Sequence, residues 1–397
     1  MVDLVAALTA VGTTVMCVVL LVGASDHRLI YWFGGWRPHG GIALGISFAI
    51  DPLGAGAAVF AGVLFTAALA YSPAYFQHDV QHRYSILMLV FLASVVAFCL
   101  TGDLFDLFVF FELFSVSAYA LTAYQIEQPG PLQGALNFGV MNSLGSFAIL
   151  LGIALVYGRT GALNFAQVGQ SLSGGAADGL VVISFSLLVV GFLVKAAAVP
   201  FHFWLADAYA VAPAPVCVVF TGVMSELGLY AVARLYWTVF EGSLGPHEPW
   251  LRVVLLGLGA ATAVLGAIMA FAQQHLKRML AFATISNIGL GLIGIALFEH
   301  AALGGAALYA MADGLVRAAL FLIIGLLIIR FASADEEHLR GQGKGMLLAG
   351  ALFAVGGLAL AELPPFGTSV GKSLIEDAAG KLGYQWSPGS SASPQRW

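Results

Sequence analysis

Seven ionisable side chains lie inside or beside long apolar runs, and their types and spacing suit the movement of protons. Glu112 lies in DLFVFFELFSVSAYAL, Lys195 in VISFSLLVVGFLVKAAAVPF and Glu226 in VCVVFTGVMSELGLYAV. Asp313 and Arg317 stand four apart in YAMADGLVRAALFL, and so share one helix face. His202 follows Pro200 by two residues, and Lys372 follows the Pro364-Pro365 pair. A charge at the centre of a bilayer costs about 2.5–3.5 kcal/mol, so a chain that keeps several is expected to use them.

Burial disfavours the charged form of a lysine or a carboxylate, and pairing the two restores both charges. Making and breaking a Glu112–Lys195 pair would therefore shift proton affinity by whole pKa units, each worth about 1.4 kcal/mol. A static salt bridge that fixes helix packing would use the same two residues. Glu226 could extend the wire, stay neutral against Ser225, or pair with Arg234, which lies eight residues on. Arginine holds its proton at any accessible pH, so Arg234 and Arg317 would tune the path and carry nothing. Asp313 and Arg317 read equally as an intrahelical pair that lowers insertion cost. His202 has the titration range of a relay, yet beside a proline its ring could simply satisfy a freed carbonyl. Asp51 and Asp103 read as helix starts, with Asp51 capping. Lys277 and Arg278 read as anchors at the membrane interface.

These residues need a lipid-spanning scaffold. The sequence is 60% hydrophobic and 9% charged, against about 25% charged in an average soluble domain. About 20 apolar residues cross a bilayer. That rule places all-α spanning helices near 4–23, 46–71, 84–101, 105–124, 134–157, 180–199, 214–240, 251–272, 278–297, 303–331 and 345–362, with an incomplete stretch at 366–380. The first is read as a retained span, because it lacks a basic leader region. Two helices are expected to be broken, at Pro200 and at Pro364-Pro365, which is tolerated at membrane depth only against protein or a water-filled cavity. One lysine-bearing break in each half points to duplicated transport architecture. The chain divides into an N-terminal helix and loop (1–45), a transmembrane domain (46–380) and a polar tail (381–397).

Other functions are excluded or weakened. The net charge of -5 is spread thinly, which leaves nucleic-acid binding no electrostatic footing. Cys17, Cys99 and Cys217 lie in apolar runs without CxxC spacing and read as small buried hydrophobes. The string Gly289 to Gly294 fits GxGxxG, but inside an apolar span it reads as helix packing, since a dinucleotide fingerprint needs a strand before it. No Walker A sequence, HExxH or Cys/His metal set is present. Lys and Arg near loops number six on the N-terminal side (Arg83, Lys277, Arg278, Arg330, Arg340, Lys344) and four on the other (Arg28, Arg37, Arg159, Arg252). The excess favours a cytoplasmic N-terminus.

Five strings, in order, carry a resemblance: FFELFSVSAYALTAY, KAAAVPFHFWLADAYAVAPAPV, HLKRMLAFATISNIGLGLIG, DGLVRAALFLIIG and ELPPFGTSVGKSLI. Together they resemble the antiporter-like membrane subunits of respiratory complex I, membrane-bound hydrogenases and multisubunit cation/proton antiporters, over about residues 45–375. The resemblance implies inverted repeats with two broken helices and a mid-membrane chain of charges. It implies that Glu112 and Lys195 are the interacting pair and that Lys372 is the charged residue of the second broken helix. Arg317 stands where lysine is usual, Glu226 where many members have lysine, Asp313 where many have histidine, and Tyr209 replaces a frequent histidine. The off-pattern tail suggests truncation.

The resemblance implies a proton-translocating subunit of a redox-driven complex in a prokaryotic inner membrane. Such a chain has no cofactor of its own; iron–sulfur, flavin or nickel–iron centres would belong to partner membrane-complex subunits. The same residues would serve exchange of Na+ or K+ for protons in an antiporter, and a shortened relative could act as a scaffold alone.

Overall fold

The computed structural model describes residues 2–76, 82–173 and 178–384, so residues 385–397 of the tail and 174–177 of the Gly/Ser run lie outside the described residues. Ten helices among the described residues are long and apolar enough to cross a membrane. They begin with α1 (Val2–Gly23), α2 (Pro52–Phe76), α3 (His82–Leu100), α4 (Leu104–Thr122) and α5 (Pro129–Thr160). A short surface helix, α6 (Phe165–Leu172), buries Phe165, Val168 and Leu172 on one face. Then α7 (Gly179–Ala196) breaks into α8 (Phe203–Val211). The next span joins α9 (Ala214–Val219) to α10 (Ser225–Leu235), with π-helical turns at Phe220–Met224 and Tyr236–Phe240. The remainder are α11 (Glu248–Phe271), α12 (Leu276–Ala296), α13 (His300–Phe331), the single turn α14 (Glu336–Leu339), α15 (Leu347–Leu360) and α16 (Gly367–Lys381).

Two sequence expectations are corrected here. The stretch expected to open a helix at 46 starts as a strand: β1 (Leu29–Trp32) pairs antiparallel with β2 (Ser47–Ile50). Pro52 explains the change, since a proline suits the first helical turn and holds the residue before it out of the helix. The last expected span is only Leu347–Leu360, 14 residues. At 1.5 Å per residue it reaches about 21 Å, short of a bilayer core of about 30 Å, so it crosses only together with α16.

The expected inverted duplication is visible in the backbone. Asp103 opens α4, where Leu104 N–H donates to Leu163 O and Phe165 N–H to Gly102 O, both at 2.9 Å. His275 opens α12 in the same way, with Leu276 N–H donating to Ala334 O at 2.9 Å and Glu336 N–H to Gln274 O at 3.0 Å. The helices that follow, α5 and α13, each have 32 residues. Each unit then runs into a break at a cis X–Pro peptide, Val199-Pro200 or Pro364-Pro365. Between the starts of α4 and α12 the chain crosses the membrane on α4, α5, α7–α8, α9–α10 and α11. An odd number of crossings puts the second unit upside down relative to the first.

Lipid supplies no hydrophobic drive between helices, so they are held by close packing of small residues and by polar contacts. On the α5–α7 interface a Cβ at Gly191 would lie 2.4 Å from Ile149 Cγ1 and 2.6 Å from Gly145 O. Gly191→Ala is expected to cost about 1–3 kcal/mol, the usual range for overpacking, read as a lower thermal midpoint in detergent. The GxGxxG string behaves as read: a Cβ at Gly289 would meet Ala263 N at 2.3 Å, the signature of helix–helix approach. Cys17, Cys99 and Cys217 are buried as small hydrophobes. By contrast α1 and α11 leave most of their surface outside the bundle, with Leu4, Leu8, Val22, Val253, Val264 and Phe271 exposed, as a lipid-facing surface requires.

Candidate functional site: a chain of buried charges

The α7–α8 break places the first charge. Lys195 is in the last turn of α7, where a cation suits the helix dipole. Ala197 takes left-handed backbone (φ 57°) and ends the helix. The groups freed by the break find partners. Val194 O accepts from Trp204 Nε1 at 3.1 Å, and Val199 N–H donates to Thr262 Oγ1 of α11 at 3.0 Å.

Lys195 is fully buried, and its ammonium donates to Ser115 Oγ of α4 at 2.9 Å. Rings surround it: Phe114 at 4.7 Å, Phe138 at 5.0 Å, Phe111 at 5.4 Å and Tyr119 at 5.9 Å from the nitrogen. These faces hold a desolvated cation by cation–π attraction. Glu112, on the same α4 face as Ser115 and Tyr119, accepts a hydrogen bond from Ser146 Oγ of α5. No oxygen of Glu112 lies within 4.0 Å of Lys195 Nζ, so the expected pair is open in this state, each partner held by its own serine.

A run of rings leads onward. Phe138 stacks on Trp204 with centroids 4.3 Å apart, Phe220 lies 6.0 Å from Phe138, and Tyr209 lies 5.7 Å from Phe220. Tyr209 Oη and Ser225 Oγ share a hydrogen bond of 2.8 Å. Glu226 follows directly in the chain. It pairs with Arg317 Nη2 at 2.8 Å rather than with Ser225 or Arg234, which corrects both expectations for it. Arg317 is fully buried; it also contacts Asp313 and donates to Thr221 Oγ1 at 3.2 Å. Asp313 takes a further bond from Asn287 Nδ2 at 2.6 Å. Two carboxylates thus share one permanent cation, and the intrahelical Asp313–Arg317 pair expected from spacing is part of a larger cluster. Tyr209, which the resemblance sets at a position often held by histidine, is here a buried, hydrogen-bonding hydroxyl.

The third cluster sits in the second break. Lys372 Nζ lies 2.5 Å from Glu362 Oε2, and Tyr309 Oη donates to Glu362 Oε1 at 2.9 Å. Sequence reasoning reached Lys372 but passed over Glu362. Tyr309, Asp313 and Arg317, at i, i+4 and i+8 on α13, form a stripe that was legible only in its last two members.

The remaining candidates lie elsewhere. His202 sits in the first break beside the Pro200 carbonyl, its ring edge-on to Phe203. Arg234 is two turns from Glu226, about 12 Å along the axis, and binds Asp51 with both terminal nitrogens. Asp51 does cap α2, accepting from Gly54 N–H at 2.9 Å, but it is also the acid of that ion pair. Asp103 caps α4 through Phe105 N–H at 2.8 Å, as expected. Lys277 corrects its reading as an interface anchor. It is 4% exposed and donates to Ala210 O at 2.8 Å and Ala212 O at 2.5 Å, neutralising the carbonyl end of α8. Only Arg278 remains at the surface, 3.1 Å from Asp207. Beside it His275 accepts the Arg278 N–H as a helix cap, and burial holds its imidazole below the ordinary histidine range. Among the described residues no group of three His, Cys, Asp or Glu could hold a metal ion.

Comparison with known proteins gives the family and the fold. Residues 101–386 match the family described as NADH:quinone oxidoreductase/Mrp antiporter, transmembrane region. The chain is 35% identical over 339 residues to NADH-quinone oxidoreductase subunit N of Desulforudis audaxviator, covering 84% of this chain and 66% of the relative. It is 31% identical over 371 residues to the putative antiporter subunit mnhD2 of Staphylococcus aureus, covering 92% and 72%. The chain therefore spans about two thirds of the first relative's length. Its fold superposes on a subunit of the membrane-bound sulfane sulfur reductase, an archaeal respiratory membrane complex, with a TM-score of 0.88 at 27% identity, over 97% of this chain and 77% of that one. For the Mrp complex of Dietzia sp. DQ12-45-1b the values are 0.86 and 29%, over 96% and 70%.

Proposed function

Because the chain belongs to the NADH:quinone oxidoreductase/Mrp antiporter transmembrane family, we propose that it is the proton-translocating membrane subunit of a redox-driven complex. The observation that carries the reading is the line of buried and half-buried ionisable side chains, Glu112 and Lys195, then Glu226, Arg317 and Asp313, then Glu362 and Lys372, running from one broken helix to the other.

In this scheme energy released in a partner subunit closes or opens the Glu112–Lys195 pair. A closed pair keeps both charges; an open one favours neutral forms, so that Lys195 gives up a proton to the onward path and Glu112 takes one up from the entry side. Tyr209 and Ser225 supply hydroxyls on the way to Glu226. Arg317 sets the field for Glu226 and Asp313 without exchanging its own proton. Redox centres would reside in partner subunits. The relatives named above are prokaryotic, which supports a place in a prokaryotic cell membrane, and the lysine and arginine excess supports an N-terminus on the cytoplasmic face.

One observation favours a second reading, a subunit of a Na+ or K+/proton antiporter. The match to mnhD2 covers more of both chains than the match to subunit N. A tagged complex purified in mild detergent and sealed into liposomes with an internal pH dye separates the two. Stoichiometric iron, nickel or flavin with donor-driven pH change is the expected result. A pH change driven by a Na+ or K+ step without redox metal would replace it by the antiporter. Neither response would leave a scaffold.

A further inference from the structure

We propose that Glu362 is a proton-carrying residue in its own right, the exchange partner through which Lys372 is connected to the Asp313–Arg317 cluster. This rests on the translocation reading above. Glu362 stands in the second break with left-handed backbone, φ 58°, a conformation that costs a side-chain-bearing residue and that glycine adopts freely. The first break is an internal control. Its equivalent position is Ala197, at φ 57°, and the breaks match in detail: Val194 O is capped by Trp204 and Ala359 O by Thr368 Oγ1 at 2.7 Å. The backbone of such a break therefore asks for no carboxylate.

What Glu362 has that Ala197 lacks is a pair of partners. One oxygen meets the Lys372 ammonium at 2.5 Å and the other accepts the Tyr309 hydroxyl at 2.9 Å. Its side chain is 14% exposed and that of Lys372 41% exposed, so the pair joins a more accessible cation to a less accessible acid. Tyr309 places its hydroxyl one turn before Asp313 on the same helix face. Lys372 can pass one proton to the carboxylate, leaving a neutral amine and a neutral acid; the reverse step restores the ion pair. The carboxyl, bridged to Tyr309, then faces the α13 stripe.

Three variants in the complex, sealed in liposomes, test this against Lys195→Ala as reference. Glu362→Gly relieves the left-handed backbone and Glu362→Gln keeps the shape, so both are expected to assemble at wild-type levels. Proton flux should nevertheless fall at least about tenfold in each, at the low edge of what a positioned proton-transfer group contributes, while Glu362→Asp retains part of it. The component that Glu362 contributes to the protonated-carboxyl infrared signal during turnover should be missing in Glu362→Gln. Flux within about twofold of wild type in Glu362→Gln, alongside a dead Lys195→Ala, would overturn the inference and leave the translocation reading standing. Normal flux in all of them would remove both.

Discussion

Liposomes containing Lys195→Ala are expected to show no driven proton movement above leak, a loss of at least about a hundredfold, while the complex still assembles. The expectation follows from the chamber around Lys195. Its ammonium makes one hydrogen bond, to Ser115, and otherwise meets aromatic faces. Alanine there removes the only basic nitrogen between Glu112 and the Tyr209–Ser225 hydroxyls among the described residues. It leaves Ser115 free to turn back onto its own helix and Glu112 held by Ser146, able to take a proton once its cation is gone, so folding is spared. Lys195→Arg separates charge from exchange, because it keeps the cation and cannot release the proton. It should be as inactive as alanine. Retained flux in Lys195→Arg would show that the site acts as a fixed charge, the static salt-bridge reading of the same residues.

Arg317→Ala should be the most destabilising substitution in the chain, by about 3–5 kcal/mol, seen as a large fall in yield and thermal midpoint in detergent. Arg317 is fully buried and touches Glu226, Asp313 and Thr221 at once. Without it two carboxylates are left facing one another with only the Asn287 amide hydrogen bond to Asp313 given to either of them among the described residues. Arg317→Lys keeps the charge but lacks the fork that reaches three partners, and should lie between the two. Wild-type stability in Arg317→Ala would mean that both acids already hold protons, and the cluster would then be a store of protons rather than of charge.

Much of the site was legible in the sequence because the membrane makes charge conspicuous. Glu112, Lys195, Glu226, Asp313, Arg317 and Lys372 were found by their cost in an apolar run, and the prolines at 200 and 364–365 located both breaks. Helix spacing correctly joined Asp313 to Arg317. It failed for Arg234, because eight residues keep a face but also move a group about 12 Å, out of reach of Glu226 and into reach of Asp51. The interface-anchor rule misread Lys277, whose carbonyl partners lie at the end of α8, more than sixty positions earlier. Glu362 was passed over because an acid beside two prolines reads as a loop residue, and its partner Tyr309 is 53 positions away.

The sequence by itself determined that this protein lives in a bilayer, that its spans are helices, which two of them break, and which side chains are costly to place there. Those properties follow from local solvation and backbone chemistry, which each segment carries alone. The tertiary structure decided who pairs with whom: Glu226 with Arg317, Arg234 with Asp51, Glu362 with Lys372, and Glu112 with a serine in place of its lysine. Those choices depend on which helix faces the close-packed glycines bring together, and no single segment encodes that. The inversion that sets one broken helix against the other likewise exists only once five crossings have turned the second unit over.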